Sequence, residues 1–141
     1  MRSGLVLLEL LLAVSLAALI TAIATPRLVA LSDAAAVRDE ALRVVAALDA
    51  ARGASVRLGV VAALTLTDTN YRVSAVVGTD TVTVWQQPGP SRTNVALGGG
   101  GQPITFGPDG LAMGVANRTI TIAKGNMIRR VVMSKYGRLT Y

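Results

Sequence analysis

The sequence predicts an α+β fold in which one long N-terminal helix packs against an antiparallel β-sheet domain. Two observations support this expectation. Apolar residues dominate or recur with a helical period from residue 5 to residue 58. From residue 60 onward the period changes to two, with short alternating segments separated by turn residues. The chain has 141 residues, enough for one such domain and its N-terminal helix.

The N-terminus combines a short leader, residues 1–4, with a long apolar segment, residues 5–25. The leader carries a positive charge at Arg2, and Glu9 is the only charged residue among the next 21. At ~1.5 Å rise per residue, a helix of this length spans about 31 Å, enough to cross the hydrocarbon core of a bilayer. A carboxylate in such a segment is costly, so Glu9 is a candidate functional residue that requires a cationic partner.

The next segment, residues 26–58, is expected to be the amphipathic second half of the helix. Pro26 lacks a backbone N–H and should either kink a continuing helix or separate two helices. Beyond it, small and aliphatic residues recur at spacings of three and four, and Asp39 and Arg43 lie on the opposite face. Gly59 is the expected end of the helix. The stripe predicted to face the core comprises Val37, Ala41, Val44, Leu48, Ala51 and Ser55.

Residues 60–141 are expected to form the antiparallel β domain. Turn residues separate short alternating segments throughout this part of the chain. Residues 88–103 are expected to be a loop, with four consecutive glycines at 98–101. A phosphate-binding loop is excluded, because no Lys-Ser or Lys-Thr follows these glycines and no helix is expected to start there. The predicted strands are residues 60–67, 71–77, 81–87, 104–106, 118–123, 127–134 and 139–141.

The N-terminus allows three interpretations. In a secretory signal peptide, Ala22-Ile23-Ala24 would be the cleavage site, but the apolar region of such a peptide gains nothing from Glu9. A plain membrane anchor does not explain the spacing between Gly4 and Glu9. In the third interpretation, the segment resembles the class III signal of type IV pilins and pseudopilins. The matching residues are Gly4, Leu8, Glu9, Leu10 and Leu11, whereas Leu5 replaces the usual phenylalanine and Pro26 falls where this family commonly has a helix-kinking proline.

This resemblance implies a specific maturation and assembly. A prepilin peptidase would cleave after Gly4, and the new N-terminal residue, Leu5, would be N-methylated. The apolar helix would stay on the protein and pack in a filament core, with Glu9 paired to the N-terminal amine of a neighbouring subunit. The protein would begin as a single-pass inner (cytoplasmic) membrane protein with its C-terminal domain outside the cytoplasm, and would then join a cell-surface or periplasmic filament.

The rest of the chain resembles one branch of this superfamily, the H-type pseudopilins and the FimT-like minor pilins. The resemblance rests on the Ala/Leu/Arg-rich helix at 42–56, on Phe-Gly-Pro-Asp-Gly at 106–110, and on residues 130–138 near the C-terminus. It implies a minor pilin or pseudopilin, a structural subunit of a type IV pilus or of a type II secretion pseudopilus.

Enzymatic chemistry is not expected. The chain contains no histidine and no cysteine, so thiol and zinc-finger-type chemistry are excluded. Acid–base catalysis would depend on carboxylates, lysine or tyrosine, and the carboxylates are scattered over the helix and turns without paired spacing. Neither a cofactor nor a metal site is expected.

The positive charge is concentrated at the C-terminus. The net charge is +6, and no acidic residue follows Asp109. A basic surface suits a polyanion such as DNA, or serves as a solubilising or structural face. Some minor pilins of the branch bind DNA through a C-terminal Gly-Arg-x-Arg, of which Gly137 and Arg138 are present while Thr140 occupies the position of the second arginine. The candidate DNA-binding residues are Lys124, Arg129, Arg130, Lys135 and Arg138.

Overall fold

The computed structural model describes residues 2–114, 117–134 and 136–141. This part of the chain contains one α-helix, α1 (Arg2–Leu58), followed by nine strands and one short 3-10 helix (Pro90–Thr93). The α+β fold expected from the sequence is confirmed. The strands are β1 (Ala62–Leu66), β2 (Asn70–Val77), β3 (Asp80–Pro88), β4 (Ala96–Gly98), β5 (Ile104–Phe106), β6 (Ala112–Met113), β7 (Arg118–Lys124), β8 (Met127–Met133) and β9 (Leu139–Thr140).

Helix α1 is a single element of 57 residues that continues through Pro26. Pro26 therefore does not divide it into two helices, and bending at this position stays a prediction. The side chains from Leu5 to Val29 are exposed apart from Ala24, whereas the core-facing stripe of the second half is buried as expected. The helix thus has two different surroundings: its second half packs on the protein's own sheets, and its first half stands free of them.

The helix ends in a Schellman motif. Gly59 adopts a left-handed conformation with φ of 65°, and the Val60 N–H donates a hydrogen bond to the Ser55 carbonyl at 3.2 Å. Glycine has no Cβ to oppose this conformation, so the chain reverses within two residues. Strand β1 consequently runs back along the helix.

The strands form two antiparallel sheets rather than one. The first has five strands in the order β3-β2-β1-β5-β6, and the second has four in the order β4-β7-β8-β9. Helix α1 packs on both, against β1 and β2 of the first and β7 and β8 of the second. The core between the helix and the sheets includes the fully buried side chains of Leu48, Leu64, Tyr71, Phe106, Ile120 and Ile122.

The glycine-rich segment, residues 88–103, is more ordered than the expected loop. It contains the 3-10 helix and strand β4, which pairs with β7. It is also held to the β1–β2 turn, because the N–H groups of Gly89 and Ser91 donate to the carbonyls of Thr69 and Asp68 at 2.9 and 2.8 Å. A Cβ at Gly89 would lie 2.6 Å from the Asp68 carbonyl oxygen, so only glycine allows this close approach.

Candidate functional site

The N-terminal candidate residues lie on the free half of α1. Leu5 and Glu9 are one turn apart, so they share a face of the helix. Together with Leu8, Leu12 and Ser15 they line a shallow, mostly apolar groove that is open to the surroundings. Within the described residues Glu9 forms no ion pair. A cation for its carboxylate therefore has to come from the undescribed residues or from outside the chain.

The free half of α1 also meets the requirements of a membrane-spanning helix. By length and composition it is apolar enough to cross a membrane, with a mean hydropathy of 2.6 over its most apolar window, and none of that window is buried. The fold of the β domain depends on the second half of the helix alone. The free half is consequently available for lipid or for other apolar helices.

The arginines of β8 point to opposite sides of the second sheet. Side chains alternate along a strand, and Val131 and Met133 are buried against the core while Ile128 and Val132 are exposed. Arg130 is paired with Thr121 on the face of the sheet that points away from α1. Arg129 is paired with the buried Ile122 on the face that points toward α1. The two neighbouring arginines therefore cannot serve one contact surface.

Two other candidates of the predicted basic group are placed differently. Lys124 lies at the end of β7, where its Nζ is 3.4 Å from Oδ1 of Asp33 on the helix, and both side chains are largely buried. Its charge is already paired, so it is not available to a polyanion in this arrangement. Lys135 lies outside the described residues.

Arg138 joins Arg130 on the outer face. Its backbone N–H donates to Oγ of Ser134 at 3.1 Å, and its side chain lines a shallow groove with Val132, Tyr136 and Thr140. Thr140 pairs directly with Val132, which lies two residues beyond Arg130 on the same face. We call Arg130, Val132, Tyr136, Arg138 and Thr140 the outer face. It brings together two of the five candidate residues.

Arg52 is a contact residue that the sequence analysis missed. A Cβ placed on Gly137 would lie 3.4 Å from Arg52 Nη1, and one on Gly110 would lie 3.4 Å from Arg52 Nε and 2.9 Å from Val56 Cγ2. Both glycines have positive φ, of 75°. The turn at 107–110 and the turn before β9 therefore pack against the same part of α1, and their positive φ favours glycine at both positions.

A buried polar pair was also missed. Glu40 is only 2% exposed, and the Tyr71 hydroxyl donates a 2.6 Å hydrogen bond to its Oε1. Burial raises the pKa of the Tyr71 hydroxyl well above its ordinary value, and the hydrogen bond and negative charge of Glu40 raise it further. The sequence contained a sign that Glu40 is buried, because this residue lies three positions after Val37 and four before Val44, on the apolar stripe of the helix.

Comparison with known proteins agrees with this architecture. Residues 40–137 match the family described as type II transport protein GspH. The fold is similar to that of the type IV minor pilin FimU from Pseudomonas aeruginosa, with a TM-score of 0.62 over 74% of this chain and 86% of that one. The sequence identity is 16%, so this likeness concerns the fold. A comparison with curated proteins finds no match. Because the family match covers well over half of the chain, the protein belongs to the family of type II transport protein GspH.

Proposed function

We propose that the protein is a minor pilin or pseudopilin, a structural subunit of a type IV pilus or of a type II secretion pseudopilus. The observation that carries this proposal is the division of α1. Its second half is buried by the β domain, while its first half is apolar, exposed and contains one carboxylate, Glu9. Such a helix suits a membrane first and the core of a helical filament afterwards.

Maturation would begin in the inner membrane, with the C-terminal domain outside the cytoplasm. A prepilin peptidase would cut between Gly4 and Leu5, and Leu5 would then be N-methylated. Cleavage converts the Leu5 nitrogen into an amine that carries a positive charge. The family match does not include this region, so support comes from the residues themselves: the glycine, the spacing to Glu9 and the exposure of the segment.

Assembly would pair this amine with Glu9 of a neighbouring subunit. Each charge alone is costly in an apolar environment, and pairing them reduces the cost to both. Leu5 and Glu9 are one turn apart in the same chain, about 6 Å along the helix axis. A neighbour staggered by this distance along the filament would set its amine beside Glu9.

Cleavage is tested by N-terminal sequencing of the protein recovered from the cell envelope. The expected first residue is Leu5. Gly4→Val should block cleavage, because the peptidase site accepts little beyond a hydrogen at this position. The structure shows open space around a Cβ at Gly4, so the substitution causes no clash within the chain itself. Ser3→Ala is the matched control and should be cleaved normally. A first residue at Thr25 would identify an ordinary signal peptide and contradict the proposal.

A second candidate function is DNA binding by the outer face. The observation that favours it is that Arg130 and Arg138 lie on one side of the sheet beside Tyr136, whose side chain is 77% exposed. The arginines would contact phosphates and the tyrosine would stack on an exposed base. Because the described residues offer no groove-reading helix, binding would be weak, indifferent to sequence and strongly reduced by salt.

Arg129, next to Arg130 on strand β8, provides a matched control for DNA binding by the outer face. In a mobility-shift assay with the domain that lacks the first 29 residues, Arg130→Ala and Arg138→Ala should each weaken binding, and Thr140→Arg should strengthen it. Arg129→Ala removes the same charge from the opposite face and should have a smaller effect. A variant that no longer neutralises one phosphate should have a salt slope lower by roughly 0.7–0.9. The absence of any shift at about 50 mM salt, where such interactions are strong, would exclude this function.

A further inference from the structure

The β2–β3 hairpin has an apolar face that the described part of the chain leaves uncovered. Every residue from 76 to 84 is exposed, and we call this segment the β2–β3 tip. Val77 lies two positions after the buried Ala75, and Val82 is paired with Ala75. All three therefore lie on the side of the sheet that packs on α1 lower in the domain. Val77 and Val82 are nevertheless 49% and 47% exposed, because the tip lies at the level where the helix ends.

The tip also has an unprotected backbone edge. Strand β3 is the edge strand of the first sheet, so N–H and C=O groups along its outer side are unpaired. Native proteins usually protect such an edge with lysine, proline or a bulge. Here the register is irregular only beyond Thr83, and Asp80 is the single charge of the tip. Residues 80–83 are consequently a regular segment to which another strand can be added.

A groove between α1 and β8 offers a second free edge. Strand β8 pairs with β7 along its whole length, but with β9 only at Val132 and Met133. Among the described residues, no strand pairs with this other edge of β8 at residues 127–130. The groove beside it is lined by residues that include Ala35, Arg38 and Leu42 of the helix and Met127 and Arg129 of the strand.

The groove combines unpaired positive charge with apolar surface. Arg38 and Arg129 are exposed and form no ion pair in the described part of the chain. The carboxylate of the groove, Asp39, is already engaged by Arg43 at 3.1 Å. Leu42 is 46% exposed. An extended strand with aliphatic side chains and one carboxylate is complementary to this groove, and the β2–β3 tip has this composition.

We propose that the β2–β3 tip of one subunit docks in the α1–β8 groove of a second copy and adds a strand to the free edge of β8. Asp80 lies opposite Arg129, Thr81 opposite Ile128, and Val82 opposite Met127. In this register Asp80 and Val82 point into the groove and Thr81 points away from it, as these side chains already do relative to their own helix. The docked segment continues the line of β9 along β8.

The strand directions fit a filament in which all helices point the same way. Gly59 reverses the chain after α1, so β1 runs against the helix, β2 runs with it and β3 runs against it. Strand β8 runs with the helix, from Met127 beside Asp33 toward the turn at Gly137 beside Arg52. The tip and β8 are therefore antiparallel when the two copies have the same orientation. Because the contact joins two different surfaces, it can repeat along a filament.

The positions of the two surfaces distinguish a filament from a membrane. The tip lies near the end of α1 at Leu58, and the groove lies near Arg38, so two docked copies are displaced by about 30 Å along the helix axis. Two subunits anchored in a flat bilayer lie at the same depth and cannot reach this displacement. The inference thus rests on filament assembly in the proposed function, and it adds which surfaces of the β domain meet there.

Cysteine cross-linking tests the register, because the chain has no native cysteine. Two full-length chains are produced together in the host cell, one with Thr81→Cys and the other with Ile128→Cys. Directly opposed residues have Cβ atoms about 4.5–5.5 Å apart, within reach of a disulfide after mild oxidation. The disulfide-linked dimer is expected in sheared filaments and not in the membrane fraction. It should be several-fold more abundant than with Thr119→Cys and Ile128→Cys, since Thr119 is exposed but lies on β7, inside the second sheet.

Charge exchange tests the ion pair. Asp80→Arg in both cysteine chains should reduce the cross-linked dimer severalfold, because it places a cation opposite Arg129. Adding Arg129→Asp to both chains should restore the dimer. Asp68→Arg makes the same change at an exposed turn of the same sheet and is the matched control, which should leave the dimer unchanged. If the cysteines impair assembly, the same charge series is measured as recovery of the cysteine-free chain in filaments.

Each outcome bears on one of the two proposals. Filaments that contain both chains without a dimer above the Thr119 control, or with a dimer indifferent to charge exchange, would overturn the docking while leaving the filament subunit intact. A cross-link from Ile128→Cys to a different protein would show another occupant of the groove and would equally overturn it. Absence of the wild-type chain from filaments would overturn the proposed function itself.

Discussion

At the scale of single residues, Glu40 is a buried carboxylate that depends on one distant partner. Its carboxylate sits on the buried stripe of α1, and its one partner among the described residues is the hydroxyl of Tyr71 from β2, 31 positions later. A buried carboxylate without a donor is strongly destabilising. The pair therefore selects the register in which β2 packs on the helix, because a shift of either element would separate the two groups.

Tyr71→Phe should lower the free energy of unfolding by roughly 1–3 kcal/mol, because it removes the donor and leaves Glu40 buried without one. Thermal unfolding of the domain, followed by circular dichroism at neutral pH, measures the change. Tyr141→Phe is the matched control, since Tyr141 is exposed. An equal effect of the two substitutions would contradict the assigned role of the pair.

The same pair should make stability depend on alkaline pH. Because the pKa of Tyr71 is raised in the folded state, the unfolded chain releases this proton first, above its ordinary pKa of about 10. The contribution of Tyr71 is therefore fully present below about pH 10 and is lost as the pH rises further. Wild-type protein should lose stability in this range more steeply than Tyr71→Phe. Parallel curves for the two proteins would exclude Tyr71 as the cause.

At the scale of elements, the ends of the two sheets are joined through the helix. The turn at 107–110 follows β5 of the first sheet, and the turn at Gly137 precedes β9 of the second. Their backbones approach Arg52 so closely that side chains at Gly110 and Gly137 would contact it. Since β9 extends the second sheet by only two residues, we expect this packing to help hold the C-terminal strand in place.

Arg52→Ala should destabilise the domain by roughly 1 kcal/mol, mainly by removing the surface on which both turns pack. Hydrogen exchange should show increased opening of β9 before any other strand is affected. Arg38→Ala is the control, because it removes an exposed arginine from the same helix away from these turns. Unchanged exchange at Leu139 and Thr140 would show that Arg52 does not hold the C-terminal strand.

At the scale of the whole molecule, the two halves of helix α1 lie in different environments. One half completes the core of the β domain, and the other is exposed and apolar with Glu9 as its single charge. A change in the free half leaves the core residues untouched, so the proposed role of this half in assembly can be tested without altering the β domain.

Glu9→Val should leave folding, membrane insertion and processing intact, since it makes the free half more apolar. It should reduce recovery of the subunit in sheared filaments, because the amine of the neighbouring subunit loses its partner. Leu8→Val, one residue away and also exposed, is the control and should assemble normally. Recovery of the Glu9→Val protein at the wild-type level would show that the proposed pairing is wrong.

The sequence by itself determined the features that depend on local periodicity. The apolar half of α1, the stripe from Val37 to Ser55, the end of the helix at Gly59 and most strand positions follow from spacing and turn residues, which involve neighbours within about one turn or one hairpin. The resemblance to the superfamily likewise rests on short motifs, and the family match agrees with it.

Only the tertiary structure decided which distant groups meet. It divides the strands into two sheets, separates Arg129 from Arg130, pairs Lys124 with Asp33, and brings Glu40 to Tyr71 and Arg52 to Gly137. The composition of residues 88–103 resembles a loop, yet the segment contains a strand, because β4 is stabilised by pairing with β7, which is distant in the sequence. Contacts of this kind depend on how the sheets close around the helix, and a local pattern contains no information about that packing.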